Sequence, residues 1–280
     1  MYYFQAKMKC RIKEKILSII ILFSLIIYYS INEYLLKRLK ARQQANKPKI
    51  RLSDFYSYSQ YQEDLILYIL LYDIENGFYI DVGAFDPIKV SVTKAFYLRG
   101  WTGINIEPQP DKKDLFDKDR PKDINLQLAI SEKKGNIEFY INDQCSTYIK
   151  QYSRNAKTII NVSMDTMSNI CKKYVPKGRN VDFCKIDVEG GEKNVLLGYD
   201  FINYRPKVFC IESTVPLSYI PTYELWENIL IQNNYMFVYK RSVNRFYVDK
   251  NFPELIERSK NISEYLSKIR KYRIHSFRKL

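Results

Sequence analysis

The chain of 280 residues carries one histidine, His275, in a basic stretch near its C-terminus. A histidine there reads as a solvated surface residue, which leaves a carboxylate as general base, or none. Cysteine is sparse: Cys10, Cys145, Cys171, Cys184 and Cys210. The number is odd and no C-x-x-C pair occurs, so neither a disulfide framework nor a zinc site is expected. Cys184 and Cys210 fall in predicted buried strands, where a free cysteine behaves as a small hydrophobe. Glycine is also scarce, with nine in the chain, and G-x-G-x-x-G is absent. Asp81-Val82-Gly83-Ala84-Phe85-Asp86 supplies one glycine where a dinucleotide loop wants three, which disfavours a nicotinamide-dependent oxidoreductase. No internal repeat is found.

Negative charge is scarce at both ends. Residues 1–53 hold 12 Lys/Arg against 2 acids, and residues 254–280 hold 8 against 3. The formal net charge of +14 therefore sits in the termini, and residues 54–253, with 25 Lys/Arg and 26 acids, come to −1. A phosphate-tracking groove on that body is not indicated, so no nucleic-acid partner is expected.

What is present begins with an apolar run. Ile16 to Ile31 contains no charge, and extended to Leu36 it reaches the length of a single membrane span. Tyr28 and Tyr29 suit the interface, and no small-x-small cleavage site follows, so an uncleaved anchor is expected over 16–36 with lipid as its partner. A basic flank (1–15) precedes it and a polar basic linker (37–53) follows, so charge does not reveal which side holds the body. Residues 253–280 place Ile262, Tyr265, Leu266, Ile269 and Tyr272 at helical spacing among Lys and Arg. This basic amphipathic helix either packs on the domain or lies on an anionic membrane surface.

The body, 54–252, alternates predicted strands and helices. Ser59-Gln60-Tyr61-Gln62 reads as a capping box with Ser59 as N-cap, opening a helix whose first turn holds Glu63 and Asp64. Phe78 to Val82 is a short buried strand. Asp81, Gly83 and Ala84 follow as a turn or as a ligand loop where the missing Cβ lets a ligand approach the backbone. A helix over 91–99 leads to a second strand, Trp101 to Glu107, whose terminal acid can accept from two ribose hydroxyls or simply cap a turn. Asp123 to Ile130, which carries Ala129 as a candidate ligand-binding residue, is a third strand, and Ile137 to Ile141 a further antiparallel one. Val181 to Val188 is the fourth sheet strand, Pro206 to Glu212 the fifth, again acid-tipped. A helix over 223–232 and a closing hairpin, 235–239 with 245–248, complete a doubly wound α/β sheet.

The fourth strand ends on the densest acidic site, Asp187, Glu189 and Glu192, with Gly190 and Gly191 between them. Like charges this close raise one another's pKa, so one can act as a base. The other reading is a helix N-terminus collecting acids, which suits Glu192 better than Asp187. A divalent metal, were one used, would find its ligands here, although the sequence does not call for one.

These blocks resemble one family. Ser59-Gln60 with Glu63-Asp64, Gly77 to Ala84, Trp101 to Pro108, Lys185 to Glu192 and Asn244 to Val248 are similar, in order and spacing, to the FkbM-type methyltransferases. The resemblance covers about residues 54–250. It implies a class I, Rossmann-like fold of seven strands with an antiparallel final strand, S-adenosylmethionine as cofactor, and methyl transfer to a hydroxyl, often of a sugar or glycan-like acceptor. It implies Asp81 to Ala84 as the cofactor loop, Glu107 as the ribose acid and Asp187 as the acid beside sulfonium and acceptor. Gln62 stands where the family often has glycine, and Lys240 to Val243 lacks its usual Asp-Gly. A membrane-tethered binding protein that kept the fold without the chemistry is the other functional class.

Overall fold

The computed structural model describes residues 25–38, 50–52, 55–142, 145–154 and 156–269. The chain divides into two compact units, 1–49 and 50–280. In the first, the described part is one helix, α1 (25–38), whose Leu25, Ile26, Ile27, Tyr28, Tyr29 and Ile31 are exposed. Among the described residues no helix is long and apolar enough to cross a membrane. α1 covers the second part of the expected span over 16–36, and residues 16–24 lie outside the described residues.

The second unit is built on a seven-stranded sheet. Its first strand in the chain is β1 (Phe78–Val82), over the residues expected from the sequence, and all five are buried. β2 (Thr102–Ile106) pairs with it in parallel, with Ile80 opposite Ile104, and β3 (Ile124–Leu126) extends that side. On the other side lie β7 (Phe183–Ile186) and β8 (Val208–Glu212), also parallel. The hairpin of β9 (Tyr235–Arg241) and β10 (Asn244–Asp249) closes the sheet, with β10 antiparallel between β8 and β9. The order β3-β2-β1-β7-β8-β10-β9 reverses direction between β1 and β7. At such a switch point the two flanking loops diverge and leave a crevice at the carboxyl ends of the strands.

Both faces of the sheet are covered, which is why its strands are near-continuous apolar runs. Phe78, Ile80, Val82, Ile104, Cys184, Ile186, Phe209 and Ile211 face one core together with Ile170 and Cys171 of α5 (Met167–Tyr174), Val195 and Leu196 of α6 (Glu192–Leu197) and Leu230 of α7 (Glu227–Gln232). Tyr79, Phe183, Val208, Cys210 and Phe246 face the other, against α2 (Glu63–Leu71), Phe96 of α3 (Lys94–Tyr97), α8 (Pro253–Ser259) and α9 (Ile262–Ile269). α4 (Pro110–Asp119) opens with proline at its first position, where no amide hydrogen is needed.

Three expectations change. The run Asp123 to Ile130 is two strands: after β3 the chain leaves the main sheet, and Ala129–Ile130 forms β4 of a second, three-stranded sheet. There β6 (Thr158–Asp165), a strand the sequence pattern does not announce, lies between β4 and β5 (Gly135–Ile141). Ser59 is not the N-cap of α2; that position is Gln62, in the left-handed conformation at φ 70°. The Asp64 carboxylate accepts from Ser57 Oγ at 2.7 Å, Tyr58 N at 2.7 Å and Ser59 Oγ at 2.7 Å, so residues 57–62 wind around it rather than forming the first turn. Gln62, where the family pattern has glycine, adopts the backbone that glycine favours. Its side chain meets the other departure, for Arg241 Nη2 donates to Gln62 Oε1 at 2.5 Å and Nε to Tyr61 O at 3.0 Å.

The C-terminal segment is two helices, α8 and α9, and its last residues, 270–280, lie outside the described ones. Ile262 is fully buried and Leu266 nearly so, in the same core as Leu65 and Ile69 of α2. Within α9, Ile262 and Leu266 thus pack on the domain, as the first of the two readings expected, while Tyr272 of the expected stripe lies outside the described residues. Replacing Ile262 with alanine is therefore expected to cost about 2–5 kcal/mol of stability, as buried large-to-small changes do. An unchanged denaturation midpoint in urea would contradict that packing.

Candidate functional site

The crevice at the switch point holds a cavity of about 180 Å³. Its floor is the end of β1 and the loop after it, Asp81 to Phe85, and its sides are Glu107 to Gln109 after β2 and Asp187 to Glu189 after β7. Ala129 and Phe139 of the small sheet close it, together with Leu128, Cys145 and Tyr148 from the segments flanking its strands.

Gly83 is what lets the two central loops meet. Its φ is +74°, and a Cβ built there would lie 1.8 Å from the backbone oxygen of Asp187. Backbone cannot yield as a side chain can, so the position admits no other residue without moving a loop. Gly83 N and Ala84 N both donate to Ile106 O, at 3.0 and 3.1 Å, locking the loop against β2. Glu107 continues that lock. Its Oε2 accepts from Phe85 N at 2.9 Å and its Oε1 from Gln109 N at 3.0 Å. Burial pushes Glu107 up to about 7 despite those donors. Each oxygen keeps a lone pair, so the carboxylate can take further donors from the cavity.

Asp81 is less free than its place at a strand end suggests. It is buried, Thr93 Oγ1 donates to its Oδ2 at 3.0 Å, and Lys185 Nζ lies 3.4 Å from its Oδ1. Thr93 in turn accepts from Arg120 Nη1 at 2.7 Å, a guanidinium that is wholly buried and also bonds Ser91 Oγ and Pro87 O. Lys185 is the residue that sequence reasoning missed. Its ammonium donates to Gly83 O at 2.5 Å and sits 3.5 Å from Asp187 Oδ2. Burial alone would lower its pKa, but Asp187 and Asp81 raise it above the ordinary lysine value. The signal was there: a lysine in the middle of the buried run Val181 to Val188 demands carboxylate partners.

The acids after β7 separate into two kinds. Asp187, one-third exposed, and Glu189 are on the cavity wall. Glu189 stands at φ 56°, and its Oε2 accepts from Cys145 Sγ at 3.2 Å. Burial first, then the Asp187 charge, pushes Glu189 up to about 8. Glu192 turns away from the cavity. Its Oε1 accepts from Val188 N and Gly190 N, both at 3.1 Å, so it holds the loop's shape from behind. Burial raises it to about 7. The glycines between them do not lie open to a ligand. A Cβ on Gly190 would strike the ring of Tyr152 at 2.4 Å, and one on Gly191 the hydroxyl of Tyr148 at 2.2 Å. Tyr148 Oη donates to Gly191 O at 3.2 Å. In place of Glu192 the structure brings in Glu212, at the tip of β8, whose ligand oxygen lies within 4.8 Å of those of Asp187 and Glu189. Burial and then the charges of Asp187, Glu189 and Glu192 push Glu212 up to about 12. The acid tip of the fifth predicted strand was its only sequence signal. Of the residues assigned from sequence, Asp81, Gly83, Ala84, Glu107, Ala129, Asp187 and Glu189 surround one cavity, and Glu192 supports it.

The Lys185 geometry makes a prediction. Lys185→Met removes the cation and leaves Asp81 buried without it, which is expected to cost about 3–5 kcal/mol by urea denaturation. Adding Asp81→Asn is expected to restore part of that loss, because the uncompensated charge is gone. Equal stability of Lys185→Met and the unaltered chain would refute the pairing.

The family profile described as the methyltransferase FkbM domain matches residues 81–239, from the tip of β1 into β9. A crystal structure of methyltransferase FkbM from Methylobacillus flagellatus KT is similar at 14% identity, over 62% of this chain and 44% of that chain, with a TM-score of 0.39. The chain thus spans less than half of that protein's length. No protein of curated description matches. With more than half of its residues matched by the profile, the chain belongs to the FkbM methyltransferase domain family.

Proposed function

We propose that the chain is an S-adenosylmethionine-dependent O-methyltransferase, anchored to a membrane through residues 16–36, that methylates a hydroxyl of a sugar or glycan-like acceptor. The observation that carries the cofactor reading is the charge of the cavity wall. It holds Asp81, Glu107, Asp187 and Glu189 against one cation, Lys185, which is already paired. Such a wall suits a ligand with a positive centre and repels the pyrophosphate of a dinucleotide. The residues present also fit the rest of the group. Glu107 offers oxygens to ribose hydroxyls, the bare backbone at Gly83 admits close approach, and Leu128, Ala129, Ile130 and Val188 make an apolar wall for a flat base.

When bound, S-adenosylmethionine supplies an electrophilic methyl group whose bonding electron pair departs with sulfur. The chain's part is positioning and proton removal. Asp187 and Glu189 face the cavity, and Glu189, raised to about 8, is in its ionised form a stronger base than an ordinary carboxylate, able to accept the proton of an acceptor hydroxyl as the new oxygen–carbon bond forms, with that form growing as pH rises toward and past 8. Glu192 acts through the loop that carries both. Sugar hydroxyls fit this demand because they are weak acids that need such a base. A binding protein that kept the fold without activity would bind the cofactor but transfer no labelled methyl group to any glycan or lipid-linked sugar.

Calorimetric titration with S-adenosylmethionine tests the cofactor site. Glu107→Ala is expected to weaken binding at least about tenfold, the loss of charge-assisted hydrogen bonds, and unchanged affinity would overturn the ribose assignment. The sign with pH follows from the raised Glu107. Ribose donors favour the ionised form, so affinity is full above about 7 and falls as the carboxylate takes up its proton on acidification. A flat affinity between pH 6 and 8 would contradict it.

The anchor rests on the uncharged run Ile16 to Ile31. The full chain is expected to stay with membranes after an alkaline wash. Release into the supernatant would remove the anchor from the proposal.

A further inference from the structure

The acids beside the cavity pose a problem that hydrogen bonding does not solve. Asp187, Glu189 and Glu212 each direct a carboxylate oxygen into one small volume, with all three oxygens within 4.8 Å of one another. Glu212 is buried, and its Oε2 has no hydrogen-bond donor among the described residues. A buried carboxylate with one oxygen lacking a donor, set beside two other carboxylates, is costly unless a positive species stands between them. Lys185 is not that species for all three. Its ammonium contacts Asp187 Oδ2 from the β1 side, where it is shared with Asp81 and Gly83 O. Cys145 Sγ donates to Glu189 Oε2. Neither reaches the unpartnered oxygen of Glu212.

We infer that Asp187, Glu189 and Glu212 form a site for one divalent, oxygen-preferring cation at the edge of the cavity. The spacing suits it. Two oxygens on opposite sides of a calcium-sized ion lie about 4.8 Å apart, and manganese or magnesium needs only a modest contraction. The donor set, three carboxylates without nitrogen or sulfur, is the hard-oxygen set that such ions prefer over zinc or copper. Chain rigidity helps as well, since Asp187 follows β7, Glu212 ends β8, and Glu189 is held by Thr147 Oγ1 on its carbonyl at 2.8 Å. Because Asp187 and Glu189 line the cavity, the cation's remaining positions are open to oxygens of an acceptor there. A polyol with adjacent hydroxyls would supply two such oxygens. The cation site extends the methyl-transfer reading to the acceptor side but does not depend on the cofactor.

The alternative occupant is a proton shared between Glu212 and Asp187, and direct cation titration distinguishes the two. The full-length, chelator-treated protein is titrated with manganese(II) chloride in the absence of S-adenosylmethionine, and free manganese is read by electron paramagnetic resonance. One bound ion per chain is expected, displaceable by calcium. Glu212→Gln and Glu189→Gln are each expected to weaken binding at least about tenfold, since each removes a charged ligand. No binding by the unaltered chain up to millimolar manganese would overturn the site and leave the proton in place. Binding that survives both substitutions would place the ion elsewhere and overturn it equally. If Glu212→Gln fails to fold, the unaltered chain and Glu189→Gln decide alone. Loss of S-adenosylmethionine binding with manganese binding intact would count against the cofactor reading only.

Discussion

One buried ammonium ties the two halves of the sheet together where they part. Lys185 reaches from β7 to the β1 loop, donating to Gly83 O while lying between Asp81 and Asp187. Without a cation there, two carboxylates from neighbouring strands would face each other in a low-dielectric interior, and the loops after β1 and β7 would be driven apart. With it, Gly83 packs directly on the Asp187 carbonyl and the cavity has a defined floor. The crevice depends on that contact, because Asp187 and Glu189 on one wall and Ala84 and Phe85 on another are positioned by it.

A second buried cation serves the opposite side. Arg120, at the end of α4, binds Pro87 O, Ser91 Oγ and Thr93 Oγ1, and Thr93 passes the connection to Asp81. Nearby, Asp123 accepts from Tyr79 Oη at 2.5 Å, Gly103 N at 2.9 Å and Asn105 Nδ2 at 2.9 Å, linking β1 and β2 to the start of β3. Asp81 is therefore held from both directions. Its part is to set the electrostatics of the floor, whereas Glu107, with oxygens still able to accept, is the carboxylate equipped to touch a ligand.

The acids around the switch point divide by burial and partner. Glu192 has backbone donors and shapes the Val188–Gly190 turn. Glu189 has a thiol donor and faces the cavity. Glu212 has no donor on Oε2 among the described residues and is buried beside two other carboxylates. Three carboxylates from two strand ends thus take three roles, and the difference lies in which donors come within reach. The segment between β5 and β6 contributes to this sorting, since Tyr148 and Tyr152 press on Gly191 and Gly190 and fix how far the turn can open.

Local sequence determined the strand order along the chain, the acid at each strand tip and the glycine after β1. Short apolar runs between turn residues carry that information by themselves, as with Phe78 to Val82. It did not determine where a run ends when the chain changes sheets. Asp123 to Ile130 looks like one strand, and only the pairing of Ala129–Ile130 with β6 splits it. Nor was β6 among the expected strands, since Asn161 and Ser163 alternate with Val162 and Met164 over too few residues for the period of a half-buried strand to stand out. The substitution of Glu212 for Glu192 at the cavity edge, the burial of α9 and the central place of Lys185 were decided by tertiary structure. Each depends on groups far apart in the chain that meet only when the sheet forms, and a carboxylate's role is set by which donors then surround it.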